Sequence, residues 1–223
     1  MTGPSGLMAF WQASDTTGRA VAIVLLAMSV TAWVLIFWKA WVLRRAQTDI
    51  TRAVAAFWDA PSLDDGRKRL AAMDRERLLL PLLEAAATRS PAGTLESSAS
   101  LQAQLTRRLR DALHRGLAHL QFGQVVLASI GSTAPFVGLL GTVWGVYLAL
   151  AGMADGGGLS IERISGPIGE ALIMTAAGIA VAVPAVLGYN IFGQKVAACE
   201  AELEGFAYDL LQTRLDALGG DRE

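Results

Sequence analysis

The chain has 223 residues, 53% of them hydrophobic and 17% charged, with a formal net charge of −1 and a mean hydropathy of +0.41. Soluble domains are apolar over about 45–50% of their residues; here the excess is gathered into three uncharged runs, which excludes an ordinary soluble domain. The near-neutral balance gives no basis for nucleic-acid binding, and the single cysteine, Cys199, excludes an intrachain disulfide.

Residues 1–20 form an N-terminal segment whose one basic residue is Arg19. The first uncharged run, Val21–Trp38, is 18 residues long and is closed by Lys39. It exceeds the roughly 7–15 apolar residues of a signal peptide and ends in Trp33, Phe37, Trp38 and Trp41, an interfacial belt rather than a cleavage site. A retained transmembrane helix is predicted over 21–43.

Residues 44–121 read as a helical region. Arg44–Ala60 is Ala-rich and stops at Pro61, and Ser62 with Asp65 resembles a capping box opening a second helix. That helix carries Leu70, Met73, Leu78, Leu79, Leu82 and Leu83 and ends by Ser90-Pro91. A loop follows over Pro91–Ser100. From Leu101, the positions Leu105, Leu109, Leu113, Leu117 and Leu120 recur at helical spacing and are expected to run on into the second span.

The second and third uncharged runs, Phe122–Ala154 and Ala171–Gly193, predict transmembrane helices over 122–152 and 167–193, joined by a connection at 153–166. A helix rises about 1.5 Å per residue and the hydrocarbon core is about 30 Å thick, so each run can span it. Over 194–223, Val196, Leu203, Phe206, Leu210 and Leu211 alternate with Glu200, Glu202, Glu204 and Asp209. The third helix should therefore continue as an amphipathic rod, whose apolar face needs a partner. Between Lys39 and Arg115 lie 14 of the 19 basic residues. The positive-inside rule puts that region and the C-terminal tail in the cytoplasm and the N-terminus outside. The fold class is an all-α integral membrane protein with three transmembrane helices and long helices extending into the cytoplasm.

Glu170 is the most informative residue. It stands at the start of an apolar helix with no other charge before Lys195. A carboxylate there is costly unless it faces protein or water, so it marks a functional site by default, although an acid can also simply cap a helix N-terminus. Thr142 and Thr175 each lie about 12–14 Å along their helices from the outer turn, given the rise per residue. They could form one polar layer, or each could bond a carbonyl of its own helix. Glu170 and Thr175, five residues apart, point about 140° apart on an ideal helix and cannot share a narrow stripe. Small residues stripe both spans. Gly138, Gly141 and Gly145 on the second and Gly178 and Ala182 on the third are the candidate helix-packing positions. Pro135 and Pro184 interrupt the apolar runs, where proline tends to kink a helix.

His114 and His119 are five apart, which suits neither an i,i+4 metal pair nor an HExxH motif. No nucleophile–base pair or carboxylate dyad lies in a span, and there is no Walker A sequence, so neither enzymatic activity nor a cofactor or metal is expected. Nor do the spans hold a second carboxylate, so a proton path would need an acid from a partner.

Two stretches together carry a resemblance. Thr133-Ala-Pro-Phe-Val-Gly-Leu-Leu-Gly-Thr-Val-Trp-Gly145 and Gly166-Pro-Ile-Gly-Glu-Ala-Leu-Ile-Met-Thr-Ala-Ala-Gly178, continuing to Asn190, are similar to the MotA/TolQ/ExbB proton-channel family, and within it to the ExbB branch. The resemblance implies a pentamer in the bacterial inner membrane with a periplasmic N-terminus, whose second and third helices line a pore. It implies as partners an ExbD-like single-span subunit bearing a transmembrane aspartate and a TonB-like protein, with proton-motive force driving outer-membrane transport such as iron-siderophore uptake. It also implies that Glu170, Thr142 and Thr175 are polar pore residues. A TolQ-like subunit energising TolA, or a non-conducting membrane scaffold, are the alternatives.

Overall fold

A computed structural model describes residues 15–88, 93–154 and 161–219. Among these the chain is all-helical: α1 (Thr16–Trp58), α2 (Leu63–Met73), α3 (Leu80–Ala87), the one-turn α4 (Leu95–Ser98), α5 (Leu101–Gln121), α6 (Gln124–Ala154) and α7 (Ile161–Gly219). Three of them, α1, α6 and α7, are long and apolar enough to cross a bilayer. The chain divides into two compact units. One takes the residues up to Trp38 with Gly123–Ile191, and the other takes Lys39–Phe122 with the residues from Phe192 onward.

Helix ends differ from those expected. Residues 16–20, 153–154 and 161–166 are helical, while 1–14 and 155–160 lie outside the described residues. Pro167 falls in the second turn of α7 and does not end it. At the seventh helical position proline costs the one bond to the carbonyl four residues back, and the helix runs on through it. Both α6 and α7 continue through their inner prolines, Pro135 and Pro184.

The predicted second helix is two helices. The Asp74 carboxylate accepts the backbone N–H groups of Leu78, Leu79 and Leu80 at 2.8, 2.9 and 2.7 Å, which diverts the chain into a turn. Arg77 within it sits at φ +53°, a conformation costing an L-residue about 1–2 kcal/mol. Ser62 caps α2 as expected, its Oγ accepting Asp65 N–H at 3.2 Å and donating to Asp65 Oδ2 at 3.0 Å. Of the expected loop 91–100, residues 91 and 92 lie outside the described residues, and Thr94 caps the single turn α4.

A second break separates α5 from α6, where an uninterrupted rod was expected. Gly123 adopts φ +78°, open to glycine and strained for other residues. Lys39, only 1% exposed, reaches this break, and its Nζ donates to the carbonyls of Leu120 and Phe122, the latter at 2.9 Å. Those carbonyls belong to the group that any helix end leaves unpaired, and a cation there is also favoured by the helix dipole. By sequence alone Lys39 marks only the end of a span. Lys39→Met is expected to destabilise the protein by about 1–3 kcal/mol, the cost of leaving buried acceptors unsatisfied. Thermal denaturation in detergent measures it, and an unchanged midpoint would mean that water replaces the ammonium.

In the same unit, buried residues repeat at alternating steps of three and four on two helices: Leu43, Ala46, Ile50, Ala53 and Phe57 on α1, and Val196, Cys199, Leu203, Phe206 and Leu210 on α7. This is the seam of a coiled coil. Phe57 and Phe206 meet edge to face with centroids 5.4 Å apart, and Thr51 donates to Glu202 at 2.9 Å. The apolar face of the C-terminal rod is thus covered within the chain. Burial, reinforced by Glu202, pushes the Cys199 thiol up to about 11, so it is a core residue and not a nucleophile.

Candidate functional site

In the other unit, α6 and α7 approach to backbone contact. A Cβ built on Gly138 would lie 2.6 Å from the Met174 carbonyl oxygen and 3.1 Å from Gly178 Cα, and one on Gly178 would lie 2.6 Å from the Ala134 carbonyl oxygen. No side chain fits at either position without parting the helices. Gly141 lies against Met174 and Val21, Gly145 against Ala171, and Ala182 is buried. Small residues here allow the close packing that lipid, offering no hydrophobic drive, would not otherwise enforce. The outer faces carry exposed apolar side chains, among them Leu26, Phe37, Phe136 and Leu172. Such surfaces suit lipid or neighbouring protein.

The close approach brings two hydroxyls together. Thr142 and Thr175, both half-buried, are in direct Oγ1–Oγ1 hydrogen-bond contact. Thr142 Oγ1 also lies 3.0 Å from the Ala171 carbonyl and 3.2 Å from the Gly138 carbonyl of its own helix. Thr175 Oγ1 is 3.5 Å from the Gly138 carbonyl. Each hydroxyl has one proton to give. The shortest set has Thr175 donating to Thr142 and Thr142 donating to Ala171, with Gly138 as the alternative acceptor. The Thr142–Thr175 bond persists with either choice, while the own-helix bond to Gly138 competes with the inter-helix bond to Ala171 for the one Thr142 proton. Thr175 turns instead to the other helix.

Glu170 does not join them. It is half-buried and lines a cleft of about 320 Å³ with Gly141, Trp144, Gly145, Met174 and Asp15; neither threonine borders it. Among the described residues nothing hydrogen-bonds or ion-pairs its carboxylate. The divergence of Glu170 from Thr175 around the helix is resolved in this way. Thr175 faces the α6–α7 seam, and Glu170 faces a cleft to which the start of α1 contributes.

Asp15 and Trp144 were not singled out by sequence. Trp144 Nε1 donates to Asp15 Oδ2 at 2.8 Å, and Asp15 Oδ1 accepts Gly18 N–H at 2.9 Å, capping α1. The indole bond, with the N–H groups of Gly18 and Thr17, outweighs slight burial and lowers the Asp15 carboxyl below its ordinary range. Any stability it adds is therefore present above the usual carboxylate pKa and is lost only as pH falls through the lowered value. The Asp-Thr-Thr-Gly start was readable as a helix cap, and an indole N–H in a span needs an acceptor. What no pattern indicates is that these two needs meet each other beside Glu170.

A family model described as the MotA/TolQ/ExbB proton channel family matches residues 75–205, a range holding Thr142, Glu170 and Thr175. The chain is similar to the biopolymer transport protein ExbB of Xanthomonas campestris pv. campestris (strain B100), with 39% identity over 198 residues, covering 85% of this chain and 78% of that protein. It is similar to the ExbB protein of Neisseria meningitidis serogroup A, with 34% identity over 204 residues, covering 90% and 93%. It is also similar to that of Salmonella typhimurium, with 30% identity over 207 residues, covering 92% and 85%.

Proposed function

Because the chain belongs to the MotA/TolQ/ExbB proton channel family, a multi-pass membrane family, we propose that it is the channel-forming subunit of an ExbB-type motor in the bacterial inner membrane. In this reading a homopentamer holds an ExbD-like single-span partner in its pore. Proton-motive force is passed to a TonB-like protein that drives transport across the outer membrane. The subunit catalyses no chemical step and needs no cofactor. The N-terminus is periplasmic and the basic region 39–115 is cytoplasmic, as the positive-inside rule has it.

The observation that carries the reading is the membrane unit's division of polar groups. One carboxylate, Glu170, without a partner among the described residues, opens onto a cleft, while a hydroxyl pair, Thr142 and Thr175, bridges the two helices farther along. Hydroxyls can pass or position a proton but cannot hold its charge. Nothing else in α6 or in the part of α7 up to Asn190 is ionisable at neutral pH, beyond the residues before Gly166. A path across about 30 Å of hydrocarbon thus needs an acid from another chain. The ExbB names of the relatives favour this branch over a TolQ-like one.

Reconstitution tests it. Vesicles holding this chain alone under a pH gradient are expected to contain oligomers but to show no proton-driven activity. Adding a single-span partner with an aspartate at the level of Thr142 and Thr175 should restore it, and changing that aspartate to asparagine should remove it. Robust proton-driven function from this chain alone would overturn the proposal in favour of a self-contained channel.

A further inference from the structure

Arg77 occupies a position that backbone sterics reserve for glycine. Among the described residues it is the only non-glycine with a positive φ, and the turn that forces this is set by Asp74 accepting three successive N–H groups. Glycine or asparagine would relieve the crowding of its Cβ. The backbone therefore supplies no reason for arginine, and an outlier of this kind points to the side chain.

Arg77 lines an open cleft of about 480 Å³ together with Leu78, Pro81, Arg115 and His119. Among the described residues no carboxylate pairs with Arg77 or Arg115; Arg115 Nε donates only to the Asp111 carbonyl of its own helix at 3.2 Å. The cleft's own carboxylates have other basic partners, one of them inside the cleft. Glu76 faces Arg45 at 4.0 Å and His119 at 3.6 Å, and Glu84 faces Arg67 at 3.7 Å. Among the described residues two guanidinium groups thus stand without a carboxylate partner beside apolar lining residues.

We propose that this cleft docks an acidic peptide segment of a protein partner, with Arg77 and Arg115 binding its carboxylates and the apolar lining at Leu78 and Pro81 taking an apolar side chain. Guanidinium groups suit bidentate carboxylate binding. A ligand made of phosphate alone would leave the apolar lining of Leu78, Pro81, Ala85 and Ala112 unmatched, whereas a peptide brings apolar side chains together with its carboxylates. The proposal concerns this unit alone and does not depend on proton conduction.

The full-length protein in nanodiscs of zwitterionic lipid is titrated with a short fluorescent peptide of alternating Glu and Leu, and with its Gln/Leu counterpart. Vesicles rich in phosphatidylglycerol form a competing arm. The Glu/Leu peptide is expected to bind more tightly than the Gln/Leu peptide by about tenfold or more, the worth of charge-assisted hydrogen bonds. Arg77→Gly should raise the melting temperature, because glycine relieves the strained φ, and yet weaken Glu/Leu binding by about tenfold. Arg115→Gln should weaken binding without moving the melting temperature. A turn that is only structural would give the rise in stability with no loss of binding, which overturns the proposal. So would equal binding of the two peptides, or displacement of the peptide by the anionic vesicles, which would assign the cleft to lipid.

Discussion

Glu170→Gln is expected to abolish proton-driven work by the assembled complex, a fall of about 10²-fold or more as for loss of a positioned proton-transfer group. Glutamine keeps the volume and the hydrogen-bonding reach of glutamate but can neither ionise nor exchange a proton in the same way. No described residue bonds to the Glu170 carboxylate, and the cleft in front of it is open. Its loss should therefore change stability by no more than about 0.5 kcal/mol, the range of substitutions that break no contact. Energised uptake in cells, with protein level, oligomer size and melting temperature alongside, separates the two quantities. Glu170→Ala should behave likewise. Full activity in the glutamine variant would show that Glu170 does not titrate in the working cycle; it would not make it a helix cap, since α7 begins nine residues earlier at Ile161.

Thr142→Val and Thr175→Val should each impair function, and Thr142→Ser and Thr175→Ser should retain much of it. Valine preserves the branched shape and removes the hydroxyl. In Thr142→Val, Thr175 is left with the Gly138 carbonyl at 3.5 Å, a poor partner. In Thr175→Val, Thr142 still has the Ala171 and Gly138 carbonyls at 3.0 and 3.2 Å. The first variant should thus lose more stability than the second. Inter-helix hydrogen bonds in membranes are worth about 0.6–1.7 kcal/mol, too little to part helices whose backbones touch at Gly138 and Gly178. A functional loss much larger than the stability loss would assign the hydroxyl pair to proton handling. Wild-type function in both valine variants would reduce the pair to helix packing and favour the scaffold reading.

Much of this protein is determined by sequence alone, because the interactions concerned are local or periodic. An uncharged run long enough to span hydrocarbon must be helical, since only a helix satisfies its own backbone there; α1, α6 and α7 follow. The Ser62–Asp65 cap is settled within one turn, and the alternating buried positions from Val196 to Leu210 mark a face that must be covered. Glu170 stands out because a charge in an apolar run is costly wherever the rest of the chain lies. The tertiary structure alone decides what meets across large separations. Asp74 breaks one predicted helix in two through three N–H groups, and a buried Lys39 holds the break at Gly123 by carbonyls more than eighty residues away. The pairing of Thr142 with Thr175 was one of two open readings until the glycine seam set the distance between helices. The bond between Asp15 and Trp144 joins residues 129 apart. Periodicity records which face of a helix is apolar, but carries no information about which atom of a distant segment will arrive there. Only packing supplies that.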